Sequence, residues 1–66
     1  MEPKYPNIEV ELSGQDGNAF MIVGRVQRAL RNAGVDKEEI TRYVEEATSG
    51  DYDNVIQTSA RWVEIY

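Results

Sequence analysis

Two stretches rich in glycine and aspartate decide the fold: Gly14-Gln15-Asp16-Gly17-Asn18 and Thr48-Ser49-Gly50-Asp51-Tyr52-Asp53. Each lies between two segments with a regular apolar pattern, and residues of these types end one element and cap the next. The first stretch predicts a turn between a strand and a helix. The second predicts a junction between two helices, so together they indicate where the elements begin.

The segments around these stretches predict the order β-α-α-α-β. Residues 7–12 alternate polar and apolar side chains, which is typical of a half-buried strand. Three amphipathic helices follow, expected at 19–33, from Asp36 to Gly50, and at 52–60. Residues 61–66 favour a strand because they are rich in β-branched and aromatic side chains, although Trp62 and Val63 would also continue the apolar face of the third helix.

We therefore predict a small α+β domain in which the two terminal strands pair and the three helices cover one face of the sheet. Residues 1–6 contain two prolines and are expected to form a loose, extended N-terminal arm, and residues 7–66 are expected to form the single domain. The predicted core is apolar and comprises Ile8, Val10, Leu12, Phe20, Ile22, Val23, Val26, Leu30, Ile40, Val44, Val55, Ile56 and Val63.

The ends of the first helix carry recognisable signals. Asn18 is suited to the N-cap position, and Gly34 lies where a C′ glycine is expected. Gly24 lies inside the helix, where glycine costs about 1 kcal/mol relative to alanine. Its presence there suggests a close backbone approach or a slight bend.

The later helix ends are predicted in the same way. Asp36 and Glu39 have the spacing of a capping box, in which each side chain accepts from the backbone N–H of the other residue. Asp51 is expected to cap the third helix. Gly50 is expected to adopt a positive φ as the second helix ends.

The composition excludes several kinds of site and argues against several kinds of binding. The 66 residues include neither cysteine nor histidine, which excludes a disulfide framework, a cysteine-based zinc site and a histidine general base. The net charge of −5 argues against non-specific binding to nucleic acid or membrane. No apolar run is long enough to span a bilayer and no secretory signal is evident, so a cytoplasmic location is expected. No cofactor is expected.

Several strings resemble a known group of proteins. They are Gly14-Gln15-Asp16-Gly17-Asn18-Ala19-Phe20, Gly24-Arg25-Val26, Glu46-Ala47-Thr48-Ser49-Gly50-Asp51-Tyr52-Asp53 and Trp62-Val63. In these the chain resembles a family of small uncharacterised proteins from bacteria and their phages or mobile elements. The resemblance implies a biological setting but no activity, and it assigns no functional residue.

A basic stripe is the first candidate interaction surface. Arg25, Arg28 and Arg31 recur at i, i+3 and i+6 on the polar side of the first helix, which has no acidic residue between Asn18 and Ala33. The stripe could contact an anion, either a phosphate backbone or an acidic patch on a partner protein. The alternative interpretation is a solvated face balanced by the glutamates of the second helix. Without interleaved aromatic residues, the stripe is a weak signal for nucleic acid.

Three aspartates, Asp16, Asp51 and Asp53, are the candidates for metal binding or acid–base chemistry if both stretches lie at the same end of the molecule. Capping and turn formation explain them better, because aspartate is commonly found at such positions. We therefore predict no catalytic, cofactor-binding or metal-binding residue.

Trp62 and Tyr66 are the second candidate surface. If Val63 and Ile65 face the core, these two rings face the other side of the sheet, where they would be exposed, packed on the N-terminal arm or buried against a second copy. In the alternative orientation Trp62 caps the core. The small size of the domain slightly favours a homodimer.

These observations together favour a non-enzymatic accessory protein that acts by protein–protein contact. A nucleic-acid-associated protein that uses Arg25, Arg28 and Arg31 is the alternative, and a metal-dependent hydrolase is the least favoured. The sequence does not identify the protein partner.

Overall fold

The computed structural model describes residues 2–12 and 19–66 and confirms the predicted α+β domain. The elements are β1 (Tyr5–Val10), α1 (Ala19–Asn32), α2 (Lys37–Ala47), α3 (Tyr52–Trp62) and β2 (Val63–Ile65). The predicted turn at 13–17 and the predicted cap at Asn18 lie outside the described residues. The third helix runs two residues beyond the predicted end at Ala60, so Trp62 closes the helix and β2 begins directly after it.

The two strands pair in parallel and form a two-stranded sheet. Beyond the strand ends, the Tyr66 N–H donates to the Val10 carbonyl at 3.1 Å, and the Leu12 N–H donates to the Tyr66 carbonyl at 2.6 Å. The register is irregular between Tyr5 and Glu9, where β1 advances four positions while β2 advances one. This segment contains Pro6, which has no N–H to donate to a neighbouring strand.

The first strand begins earlier than the sequence pattern predicts. Tyr5 and Pro6 belong to β1 rather than to the predicted arm of residues 1–6. The Lys4 N–H also donates to the Arg61 carbonyl at 2.8 Å, just before β2. Lys4 and Tyr5 are therefore held against the end of α3, and the prediction of a loose arm is wrong for these residues.

The core lies between the helices and one face of the sheet. Its buried apolar side chains are Val10, Ile22, Val23, Val26, Leu30, Ile40, Tyr43, Ala47, Val55, Trp62 and Val63. Four predicted core residues are partly buried against this cluster: Ile8, Leu12, Val44 and Ile56. Phe20 was predicted in the core but is 81 % exposed, because it lies at the edge of the buried stripe of α1 that contains Val26 and Leu30.

The two helix glycines differ in their structural roles. Gly34 has a φ of 84° and forms a Schellman motif, in which its N–H donates to the Arg31 carbonyl and the Val35 N–H donates to the Leu30 carbonyl, each at 3.0 Å. The predicted C′ glycine is thus confirmed. At Gly24, by contrast, an added Cβ would meet no atom of the described residues within 4 Å, so the close backbone approach, one of the two predicted explanations, is absent among those residues.

The junction between α2 and α3 is organised by side chains. Asp51 caps α3 as predicted, accepting from the Asn54 N–H at 3.0 Å. The Asn54 side chain points back to α2, where its Nδ2 donates to the carbonyls of Glu46 at 2.9 Å and Ala47 at 3.2 Å. Gly50 does not have the predicted positive φ. Instead, a Cβ at Gly50 would lie 2.9 Å from the Asn54 Cβ, so glycine is required for space.

The predicted capping box at the start of α2 is absent. Asp36 occupies the N-cap position but its side chain accepts no capping hydrogen bond. The Glu39 carboxylate interacts instead with residues near the start of the chain and with Arg42. A tertiary contact thus replaces the local one.

Candidate functional site

The outer face of α1 carries the predicted basic stripe. Arg25, Arg28 and Arg31, here called the basic face, are all exposed, and α1 has no acidic residue in its first turn. Within residues 2–12 and 19–66, the side chains of Arg28 and Arg31 form neither a hydrogen bond nor an ion pair. Arg28 and Arg31 therefore present unpaired positive charge to solvent on a protein of net charge −5.

The glutamates of α2 pair with other cations. Glu39 lies 2.6 Å from the Lys4 Nζ and 3.3 Å from Arg42, and Glu46 lies 3.9 Å from Arg61. The salt bridges of α2 that involve described residues thus do not include the basic face. These contacts give no support to the interpretation that the glutamates of α2 balance the positive charge of the basic face.

A groove of about 680 Å³ runs between the basic face and the end of β1. Its walls differ in charge, because Glu9 and Glu11 lie on the β1 side and the three arginines lie on the α1 side. Phe20 and Met21, which are 81 % and 49 % exposed, lie at the N-terminal end of the same helix wall. Gly24 leaves the middle of that wall without a side chain.

Trp62 cannot contribute to an exposed surface, because it is only 4 % exposed. Its ring packs edge-on to Tyr43, with a centroid distance of 5.7 Å, and stacks on Tyr5 at 6.1 Å. The Lys4 Nζ lies 4.5 Å from the Trp62 ring centroid, and the indole N–H donates to Glu46 at 3.1 Å. The sequence left the orientation of Trp62 open. In the structure its side chain lies in the core and is covered by Lys4 and Tyr5.

Glu39 is the polar centre of this contact. Its carboxylate accepts from the Tyr5 hydroxyl at 2.8 Å while it pairs with Lys4. The hydrogen bond with Lys4, followed by the one from Tyr5, lowers the pKa of Glu39 below its usual 4.5. The same bond to Glu39 raises the pKa of Tyr5 above its usual 10.0. These contacts join β1 to α2. No sequence signal identified them, because Glu39 is 34 residues from Tyr5 and 35 residues from Lys4.

A buried polar contact lies between α2 and α3. The hydroxyl groups of Tyr43 and Ser59 are 2.7 Å apart, and both residues are fully buried. Burial raises the pKa of Tyr43 above 10.0, although the hydrogen bond with Ser59 acts in the opposite direction. A hydroxyl pair held in this way is a packing contact with no opening to substrate.

Tyr66 is an exposed aromatic residue, which is one of the arrangements that the sequence left open. Its side chain is 62 % exposed although its backbone pairs with Val10 and Leu12. It does not line the groove beside the basic face. The two halves of the predicted Trp62–Tyr66 surface are thus separated, one in the core and one in solvent.

The start of α1 lies beside the second glycine–aspartate stretch. Ala19 and Phe20, which directly follow the first stretch, line the same pocket as Gly50, Asp51 and Tyr52 of the second. This pocket has a volume of about 170 Å³. The described residues around it come from the start of α1, the junction between α2 and α3, and the start of α3.

The aspartates of these stretches have structural explanations where they are described. Asp51 is the N-cap of α3, and Asp53 is exposed in its first turn. Asp16 lies outside the described residues. In the two described segments, no group of three or more histidine, cysteine, aspartate or glutamate residues is arranged to hold a metal ion.

None of the helices in the described residues is both long and apolar enough to cross a membrane. Comparison of the chain with protein-family models, curated proteins and solved structures finds no match. The family resemblance based on the sequence motifs therefore stays a prediction.

Proposed function

We propose that this protein is a non-enzymatic accessory protein that acts by protein–protein contact, with the basic face of α1 as its contact surface. The observation that carries this proposal is that Arg28 and Arg31 are exposed and have no partner among the described residues. Guanidinium groups form strong, charge-assisted hydrogen bonds with carboxylates. The complementary surface is an acidic patch on a partner protein. The proposed setting is the one that the resemblance implies, a phage or a mobile element.

The charges of the groove favour a protein over a nucleic acid. A phosphate backbone carries negative charge along its whole length, so Glu9 and Glu11 would repel it where the arginines attract it. A protein surface can carry acidic groups opposite α1 and neutral or basic groups opposite β1. Charge complementarity of this kind gives specificity and raises the association rate.

The apolar side chains beside the basic face support the same proposal. Protein interfaces combine apolar contact with charged groups at the rim, and methionine, aromatic residues and arginine are enriched in them. Met21 is half exposed on the α1 wall and supplies apolar surface next to the basic face. Gly24 leaves space between Met21 and Arg28 where a partner side chain can approach the helix backbone.

The test is affinity capture from the native host with matched variants. The first bait is wild type, and the second carries Arg25→Ala, Arg28→Ala and Arg31→Ala. The control bait carries Lys37→Ala, which removes an exposed positive charge from α2. Each capture is repeated after nuclease treatment, and the thermal stability of every bait is compared.

We expect a protein that wild type and the Lys37→Ala bait retain, that survives nuclease treatment and that the triple variant loses. Its binding should weaken as salt concentration rises, since exposed charges are screened within about 10 Å at 0.1 M salt. Capture that disappears with nuclease would favour the nucleic-acid alternative. A partner retained equally by the folded triple variant would refute the basic face as the contact surface.

A further inference from the structure

The outer edge of β1, the side away from β2, carries backbone groups that the sheet does not use. In the two described segments β1 has a strand neighbour on one side only. On that side the Val10 carbonyl and the Leu12 N–H both bond to Tyr66, directly after β2. Successive residues of a strand direct their N–H and C=O groups to alternate sides, so those of Glu9 point away from β2. An edge of this kind is a template for pairing with another chain.

The groove beside the basic face follows this edge. Its described walls are residues 9–11 of β1 and the outer side of α1, and no described residue of β2 lines it. Neighbouring strands of a sheet lie about 4.8 Å apart. A chain that pairs with the Glu9 backbone must therefore lie in the groove, between β1 and α1.

The charges of the two walls define the chain that fits. Side chains of an added strand would alternate between the two faces of the sheet. On one face Val10 packs into the core with the buried side of α1, so side chains on this face would point towards α1. There Arg28 and Arg31 have no partner among the described residues. On the other face the added side chains would lie beside the exposed Glu9. Acidic residues suit the first face and basic residues suit the second.

We propose that the partner of the basic face contributes an extended segment of alternating acidic and basic residues, which pairs with the outer edge of β1. This inference rests on the proposed function, since the acidic side chains of the segment are the groups that contact the arginines. In strand addition, main-chain hydrogen bonds give affinity and alternate side chains give specificity. A second copy of β1 fits less well, because Glu9 of each copy would lie near Glu9 of the other and like charges across strands are destabilising.

Amide hydrogen exchange measured by NMR tests the strand pairing. The probe is a peptide with blocked ends in which glutamate and lysine alternate. In the free protein the Glu9 N–H should exchange faster than the Leu12 N–H, which is bonded to Tyr66. Its exchange should slow about tenfold when ~90 % of the protein has bound the probe, because only the free fraction then exchanges.

Two substitutions of Glu9 separate its backbone from its side chain. Glu9→Pro and Glu9→Ala both remove the carboxylate, and only proline also removes the N–H. Proline is tolerated in an edge strand where the N–H faces solvent, so pairing with β2 should persist. In NMR titrations Glu9→Pro should bind the probe roughly fivefold more weakly than Glu9→Ala, the effect of one hydrogen bond. Circular dichroism checks both folds, and if Glu9→Pro unfolds, the exchange measurement on wild type decides.

A control peptide of the same composition carries all its glutamates in one block and all its lysines in another. It should bind more weakly than the probe, because it cannot place acidic and basic groups on opposite faces. A probe that does not bind at millimolar concentration would overturn the proposal. So would equal binding of the two peptides, or of the two folded Glu9 variants.

The exchange measurement also separates this inference from the proposed function. A probe that shifts the resonances of α1 but leaves the exchange of the Glu9 N–H unchanged would refute strand pairing, and the basic face would stand as a contact surface. Failure of the basic face has a different result, in which the triple arginine variant keeps both its captured partner and the wild-type affinity for the probe.

Discussion

Replacement of Gly50 by alanine tests how the junction between α2 and α3 is built. The new Cβ would lie 2.9 Å from the Asn54 Cβ and 3.1 Å from its Cγ, distances shorter than van der Waals contact. Because the position of the Asn54 Cβ is set by the backbone, the start of α3 must then shift away from Gly50. The shift carries the Asn54 Nδ2 away from the carbonyls of Glu46 and Ala47, which end α2.

Two effects of opposite sign determine the size of the change. Each lost hydrogen bond costs about 0.5–1.5 kcal/mol, so the pair costs roughly 2 kcal/mol. Replacing glycine by alanine where φ is acceptable stabilises by about 0.4–1 kcal/mol, because the unfolded chain loses conformational freedom. We expect Gly50→Ala to lower the free energy of unfolding by about 1 kcal/mol, which lowers the melting temperature of a domain this small by roughly 4–8 °C.

A double-mutant cycle with Asn54→Gly isolates the cause. Asn54→Gly alone should destabilise, since it removes the two bonds to α2 and places a glycine in α3. It also removes the Cβ that a new Cβ at Gly50 would meet, so Gly50→Ala should stabilise that background by about 0.4–1 kcal/mol, and the sign of its effect should reverse. The measurement is thermal or chemical denaturation of the four proteins. If Gly50→Ala destabilises both backgrounds equally, backbone conformation at Gly50 is the cause and the steric argument is refuted.

Three further predictions follow from described contacts. Gly24→Ala should raise the free energy of unfolding by about 1 kcal/mol in chemical denaturation, because alanine favours the helix and its Cβ meets no neighbour. Tyr43→Phe should cost about 1–3 kcal/mol by leaving the buried Ser59 hydroxyl unpaired, and the double variant with Ser59→Ala should recover most of that loss. Glu39 has a pKa lowered chiefly by its bond with Lys4, so its stabilising effect is present above pH 4.5 and is lost as pH falls through the lowered pKa. Acid denaturation followed by circular dichroism should therefore be less pH-dependent in Glu39→Gln.

Periodic and capping patterns predicted the elements because those patterns depend on neighbouring residues. Asp51 and Gly34 act as the local rules require, and most of the predicted apolar stripe of α1 is buried. Phe20 departs from its prediction because it lies at the edge of that stripe, where a helical projection does not decide between core and solvent. The capping box of Asp36 and Glu39 failed because the Glu39 carboxylate contacts Lys4 and Tyr5 instead. The positive φ predicted at Gly50 failed because glycine is needed there for space beside Asn54.

Long-range contacts account for the features that the sequence did not predict. The direction of strand pairing depends on the path of three helices, and no local pattern encodes that path. Trp62 is covered by Lys4 and Tyr5. The sequence pattern assigned these two residues to a proline-containing arm, whereas in the structure β1 begins at Tyr5. The basic face was predictable because it depends only on the spacing of three arginines along one helix.

The polar contacts that hold the fold and the surface proposed for binding lie on different elements. Apart from the pairing of the strands, the described hydrogen bonds and salt bridges of side chains join β1 to α2 through Glu39, and α2 to α3 through Tyr43, Glu46 and Asn54. By contrast, α1 contributes four buried apolar residues to the core. Loss of the arginine charges on the other side of α1 should thus leave that packing intact. If the triple arginine variant melts like wild type but loses its partner, the loss reports on binding alone. The capture experiment can therefore separate function from stability in so small a domain.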